Sequence, residues 1–433
     1  MRNKIIIPLA IVLIAALWVV GCGPGVTPGE KAVEEQGPIK VGYIGALSSP
    51  WGLSEKTSLE ISVEDMNAEG GILGRPVKLI IEDSKGEIPL VVASYKKLVM
   101  TNGCTLVVVQ GTEPTFACME VGAELYEEYP HLMFSIFVSH DGPTDMVCAE
   151  YDKYKFFFRP FEKGGGHWDS TVRIWEMFTD VIGTKKLAIM CEDMVFTEPM
   201  RYGIPGKYPS LAEAWGEQGL DVVYTGQNSI KEKMFLPILE EIAASGADTV
   251  YWITAYTDTA TLAKQWAQSA AKDIDMVSMA GAPCLQLFWD MTGGAALGWC
   301  THNAEVDIPY TEKSLPFLKE LRARGVGMVS STFYAYDSLW ALKAAVEDVG
   351  NAEDVEALIK ALETLEMQNI AFTWKFDKCH DLVAGYPPYM PHNYGQFQED
   401  GKVVEIFPEG IRQVVNPDDH FVRVKELREI AGQ

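Results

Sequence analysis

The sequence is short of positive charge. Its 433 residues carry 36 Lys+Arg against 60 Asp+Glu, a formal net charge of −24. Without a basic excess the chain has little means of displacing the counterions of a phosphate backbone, which excludes nucleic acid as the main partner. Catalytic signatures are missing as well. There is no G-x-S-x-G elbow, H-E-x-x-H helix, P-loop or G-x-G-x-x-G turn, so no catalytic residue or cofactor is assigned. Gly164-Gly165-Gly166-His167 lacks a phosphate-loop lysine and reads as an inter-lobe loop. No Cys-x-x-Cys occurs. The set Cys379-His380-Asp381 with His392 fits no metal-site spacing and reads as a solvent-facing polar loop, so no metal is assigned. Ser139-His140-Asp141 has the residue types of a triad, but neighbours along one segment cannot face each other as one.

Long apolar runs are also lacking, with one exception. Ile5–Val20 is uncharged for 16 residues and contains Pro8, short of the roughly 20 apolar residues that span a bilayer. Arg2 and Lys4 precede it and the chain turns polar after Gly21-Cys22, the layout of an export signal. Val19-Val20-Gly21-Cys22 resembles a bacterial lipobox. That resemblance implies removal of residues 1–21 and a diacylglycerol on Cys22, whose two acyl chains suffice for stable membrane tethering. Removing Arg2 and Lys4 with no acid takes the charge from −24 to −26. Residues 22–37, rich in Gly, Pro and Glu, read as a flexible tether. Seven cysteines remain, an odd number, so at least one is unpaired. Cys284–Cys300 and Cys118–Cys148 are candidate disulfides by separation, with buried free thiols as the equal alternative.

What is present is an alternation of strands and helices. Ile39–Leu47, Val77–Glu82, Thr105–Gln110 and Leu132–Val138 are short apolar runs. Helical stretches Glu55–Ala68, Pro89–Met100 and Thr115–Glu128 lie between them. Parallel strands need such crossover helices, so the pattern predicts a doubly wound sheet. Phe156–Phe161 breaks the rhythm as an extended connection. A second series follows, with strands Lys186–Cys191, Asp221–Thr225, Thr249–Thr254 and Met276–Ala280. Its helices lie near Asp169–Val181, Ser210–Gln218, Leu236–Ser245 and Asp258–Ala271. Helices Thr311–Arg324, Thr332–Val349 and Val355–Leu365 come next, and the tail after Ile370 has no readable period. Two α/β lobes with no catalytic motif suit a protein that closes over a ligand in the crevice at its strand C-termini.

The segment Val63-Glu64-Asp65-Met66-Asn67-Ala68-Glu69-Gly70-Gly71-Ile72-Leu73-Gly74-Arg75-Pro76-Val77 resembles the helix-to-strand passage of the branched-chain amino-acid (Leu/Ile/Val) binding proteins, type I periplasmic binding proteins of ABC importers. Ile39–Ser49, Phe156–Phe161 and Phe333–Val349 agree in order, and the likeness runs from Ile39 to about Asp377. It implies a clamshell of two doubly wound α/β lobes joined by a three-strand hinge, crossing near Arg159, Asn303–Asp307 and Gln368–Thr373. Lobe 1 would hold residues 38–159 and 304–369, and lobe 2 residues 160–303 and 370–433. It also implies a small-molecule ligand, a permease and ATPase complex as partner, and an extracytoplasmic location on the membrane. A tethered sensor with the same clamshell, or an exported α/β enzyme, are the alternatives.

Carried over position by position, the resemblance nominates Trp51 after the first strand, Thr112 and Glu113 after the third, and Phe137 and Ser139 after the fourth. Lobe 2 contributes Phe196 and Tyr256. His140 and Trp252 would also suit a flat ligand. Two departures bear on the ligand. Gly281-Ala282-Pro283-Cys284 carries no acid where amino-acid binders pair the ligand ammonium, and Glu113 stands where a neutral hydroxyl would receive a carboxylate. An amide or aromatic ligand therefore stands beside an amino acid.

Overall fold

The computed structural model describes residues 37–138, 140–161, 174–279, 281–303, 305–329, 331–383 and 393–432. The expected export signal, Cys22, Ser139, Gly164–His167, Ala280 and His392 lie outside them. Among the described residues no helix is long and apolar enough to cross a membrane.

Strands β1 (Ile39–Gly45), β2 (Val77–Asp83), β3 (Leu106–Gln110), β4 (Leu132–Ile136) and β5 (Phe157–Phe158) form one parallel sheet in the order β2-β1-β3-β4-β5. Leu106-Val107-Val108-Val109 is buried throughout, as a strand covered on both faces must be. Part of the cover comes from far along the chain. The helix Thr332–Val349 lies against the helix Pro50–Ala68, where Ser62 Oγ donates to the Tyr336 carbonyl at 2.8 Å.

Strands β6 (Lys186–Glu192), β7 (Asp221–Asn228), β8 (Thr249–Ile253), β9 (Asp275–Met279) and β10 (Cys300–His302) run parallel in the second sheet. A hairpin of β11 (Glu366–Gln368) and β12 (Thr373–Lys375) follows. The tail, which has no readable period, then supplies β13 (Tyr394–Phe397), antiparallel to β10, and β14 (Val403–Phe407), antiparallel to β13, giving the order β14-β13-β10-β9-β8-β6-β7. Alternation along β8 sends Tyr251 and Trp252 into separate cores on opposite faces. Together the sheets are the expected two doubly wound α/β lobes.

The chain passages between the sheets touch each other. Arg159 N–H donates to the His380 carbonyl at 2.9 Å, and Asn303 N–H donates to the Asn393 carbonyl at 2.7 Å. Ile370 and Phe372 within the expected third crossing, and Trp374, Phe376 and Leu382 beyond it, are buried in the core of the first sheet. Cys379-His380-Asp381 is not a solvent-facing loop. His380 stacks on Phe158 with centroids 3.9 Å apart, and Asp381 is buried against Arg159.

Both candidate disulfides are corrected. The bond joins Cys148 to Cys379, across 231 residues. Cys118 faces the core from the middle of its helix while Cys148 is exposed at the end of another. Cys284 and Cys300 turn their thiols to the Gly281 and Gly298 carbonyls instead of to each other. Cys104, Cys118, Cys191, Cys284 and Cys300 are buried free thiols. Closing so long a loop restricts the unfolded chain strongly. Replacing Cys148 and Cys379 together by Ser is expected to lower unfolding stability by about 2–5 kcal/mol, read from urea melts; an unchanged midpoint contradicts this.

Candidate functional site

In the first lobe the helix after β1 starts earlier than its periodicity suggests. Ser49 Oγ accepts from Gly52 N–H at 3.0 Å and Pro50 occupies the first turn, so Trp51 is helical and not in a loop. Its half-buried ring meets Phe137 edge-on, 5.9 Å between centroids. Phe137 follows β4 with φ of 61°, a left-handed conformation that an aromatic residue rarely takes. Thr112 opens the helix Thr112–Leu125 and is buried, while Glu113 beside it is exposed.

Beneath these residues lies Glu55, one turn after Trp51, which the sequence reading did not nominate. It is fully buried. It accepts from Tyr43 OH and Gln110 Nε2, each at 2.7 Å, and from Ser331 Oγ. Burial pushes its carboxyl up to about 7 against the pull of these bonds. Gln110 Oε1 in turn accepts from Ala46 N–H at 2.9 Å. One carboxyl thus ties the ends of β1 and β3 to the start of the helix Thr332–Val349.

Glu192, also not nominated, plays this part in the second lobe. At the end of β6 it accepts from Thr254 Oγ1, Ala255 N–H, Thr257 N–H and Thr257 Oγ1, each at 2.9 Å, and from Tyr256 N–H at 3.0 Å. The loop after β8 is thereby fixed, and Tyr256 is left 55% exposed at its tip. Phe196 behaves differently. It sits on the turn Val195–Thr197 and packs against the second core. Trp252 is wholly buried, its Nε1 donating to Asn228 Oδ1 at 3.0 Å. His140 sits edge-on to Phe116 at 5.6 Å, and burial holds its imidazole below the ordinary range.

The two lobes meet through residues just beyond their strand C-termini. Crowding, then the charges of Glu113, Glu192 and Glu55, push the Tyr256 phenol up to about 12, so carboxylates of both lobes act on one ring. Tyr208 OH donates to Asp141 Oδ2 and Lys207 pairs with Asp145, each at 2.7 Å. The C-terminal edges of both sheets therefore face one crevice, the place where open α/β sheets take ligands. Replacing Lys207 by Ala and Tyr208 by Phe removes both bridges. The expected result is a larger radius of gyration for the unliganded protein in solution scattering; an unchanged radius contradicts it.

Residues 38–386 match a family model described as periplasmic binding protein. The chain belongs to this family. Relatives include the Leu/Ile/Val-binding protein BraC3 of Rhizobium johnstonii, 25% identical over 336 residues, covering 75% of this chain and 83% of that protein. Similar folds include an ABC transporter substrate-binding protein from Sphaerobacter thermophilus, at TM-score 0.67 and 19% identity, covering 86% of this chain and 97% of that one. A solute-binding protein of an ABC transporter from R. palustris, solved with benzoate, gives TM-score 0.66 and 18% identity over 87% and 99%. As a member of this family the chain is an exported binding protein and not an enzyme. Its disulfide suits an oxidising compartment.

Proposed function

We propose that this periplasmic binding protein is the membrane-tethered receptor of an ABC importer of the branched-chain amino-acid type. It captures a small molecule between its lobes and delivers it to a permease and ATPase complex. Cys22 would carry the lipid anchor and residues 22–37 the tether. What supports the reading is the Trp51–Phe137 ring pair just beyond the strands of one lobe, together with the Glu113 carboxylate of that lobe acting on the Tyr256 ring of the other. Thr112 and Ser139 complete the proposed lining of the first lobe, and Phe196 stands at the margin of the second. The ligand class is an amino acid, an amide or an aromatic compound. The relatives by name bind Leu, Ile and Val or were solved with benzoate, which supports that range. A thermal-shift screen across these classes is the test. A ligand at a hundred times its Kd adds about 2.7 kcal/mol of stability. Trp51→Ala should abolish the shift, and turnover of any screened compound would sink the proposal.

A further inference from the structure

We infer that the cleft is built for a small organic cation, an ammonium, guanidinium or amidinium on an apolar body, with Glu113 as its counter-ion. The inference rests on the reading that the cleft is the ligand site, and concerns only what charge that site accepts.

Glu113 stands exposed in the first turn of the helix after β3, and among the described residues no cation pairs with it. That turn is where helix N–H groups would otherwise greet a ligand carboxylate. The Glu113 carboxylate already answers the positive end of this helix, and it repels a second anion. Among the described residues near the crevice, three cations are paired with carboxylates. Arg159 is paired with Asp381 at 2.6 Å, Lys207 with Asp145 at 2.7 Å and Arg201 with Asp193 at 2.8 Å. On the opposite lobe Ala282 offers no acid, and Glu192 is taken up by the loop beneath Tyr256, so Glu113 is the exposed carboxylate proposed to meet the ligand. The remaining lining is aromatic. Trp51 and Phe137 form an edge-to-face pair, and Tyr256 projects from the other lobe. Ring faces carry the negative lobe of the aromatic quadrupole, so they attract cations and disfavour carboxylates. Glu192, committed to internal hydrogen bonds beneath Tyr256, adds to the same sign of field.

Benzoate, benzamide and benzamidine share one shape and differ in charge, so calorimetric titration of the full chain with the three isolates the charge term. A second set, 3-methylbutanoate, 3-methylbutanamide and 3-methylbutylammonium, does the same for an aliphatic body. In at least one set the cation is expected to bind at least tenfold tighter than the anion, with the amide between. Glu113→Gln should remove most of that ratio, and Glu113→Lys should invert it. Tighter binding of the anion by the wild-type protein overturns the inference. So does a ratio that Glu113→Gln leaves unchanged, or silence of all six compounds. The solute-binding reading falls only if the broad screen of amino acids, amides and aromatic compounds is silent too.

Discussion

Arg159→Met is expected to cost about 3–5 kcal/mol of unfolding stability, the loss typical of a buried ion pair broken on one side. Arg159 is fully buried at the first passage between the sheets. Its Nε and one terminal nitrogen donate to the two carboxylate oxygens of Asp381 at 2.8 and 2.6 Å, and the other terminal nitrogen donates to the His140 carbonyl at 2.6 Å. Asp141 lies 3.7 Å away. Burial alone would lower the guanidinium pKa; the charge and hydrogen bonds of Asp381 more than compensate and hold it above its ordinary value. Met fills the volume but removes the guanidinium that donates to both oxygens of the buried Asp381 carboxylate. Arg159→Lys keeps the charge and loses the two-pronged fit, so its cost is smaller. Pairing Arg159→Met with Asp381→Leu removes both charges and should recover most of the loss. Urea unfolding of the four proteins checks the series. A single variant that loses less than about 1 kcal/mol, or a double variant no better than the single, contradicts it.

That pair also shows where sequence was legible and where it was not. The segment Val63–Val77 is readable because its structure is local. Gly71 N–H donates to the Met66 carbonyl at 2.9 Å as the helix ends, and Gly71 has φ of 77°. A Cβ there would lie 2.0 Å from the Arg75 carbonyl oxygen, so glycine is required. Asn67 then pairs with both backbone groups of Val77, at 2.7 and 2.9 Å. Each of these turn-forming partners is within eleven residues. The lobes are legible for the same reason, since each strand and helix announces itself by its own pattern. Arg159 and Asp381 are 222 residues apart and Cys148 and Cys379 are 231 apart. No local pattern encodes such pairings. Glu55 and Glu192 escaped notice because each looks like an ordinary acid until the fold buries it. Trp252 erred the other way. It stands near a strand end, but the side of the sheet it faces decides between cleft and core.

Stability should fall as pH rises from about 5 to 8, the reverse of what carboxylates usually give. Burial pushes Glu55 up to about 7 and Asp337 up to about 7, against partners that pull each down. Burial also raises Glu405 and Asp275. Between the ordinary carboxylate range and pH 7 the folded protein keeps protons that the unfolded chain has released. Folding therefore takes up protons in this window, and stability declines as pH climbs through it. A shift to about 7 corresponds to about 3–4 kcal/mol each for Glu55 and Asp337 at 1.36 kcal/mol per unit. The opposite group works lower. Arg412 holds Glu409 down to about 2, and Glu64, Glu120 and Glu356 are lowered by their partners, so stability is lost again as pH falls below about 4. Surface exposure makes each of these small. Buried His131, lowered to about 4, and His140, also lowered, oppose this decline below about pH 6.5, so the melting temperature should fall most steeply above that pH. Glu55→Gln keeps an oxygen for Tyr43 and Gln110, and Asp337→Asn keeps one for Asn369. Neither amide can ionise, so the double variant should lose most of the decline and melt above the wild type at pH 8. A melting temperature that rises between pH 5 and 8, or a double variant less stable than wild type at pH 8, would show that these carboxyls ionise without penalty in the folded core.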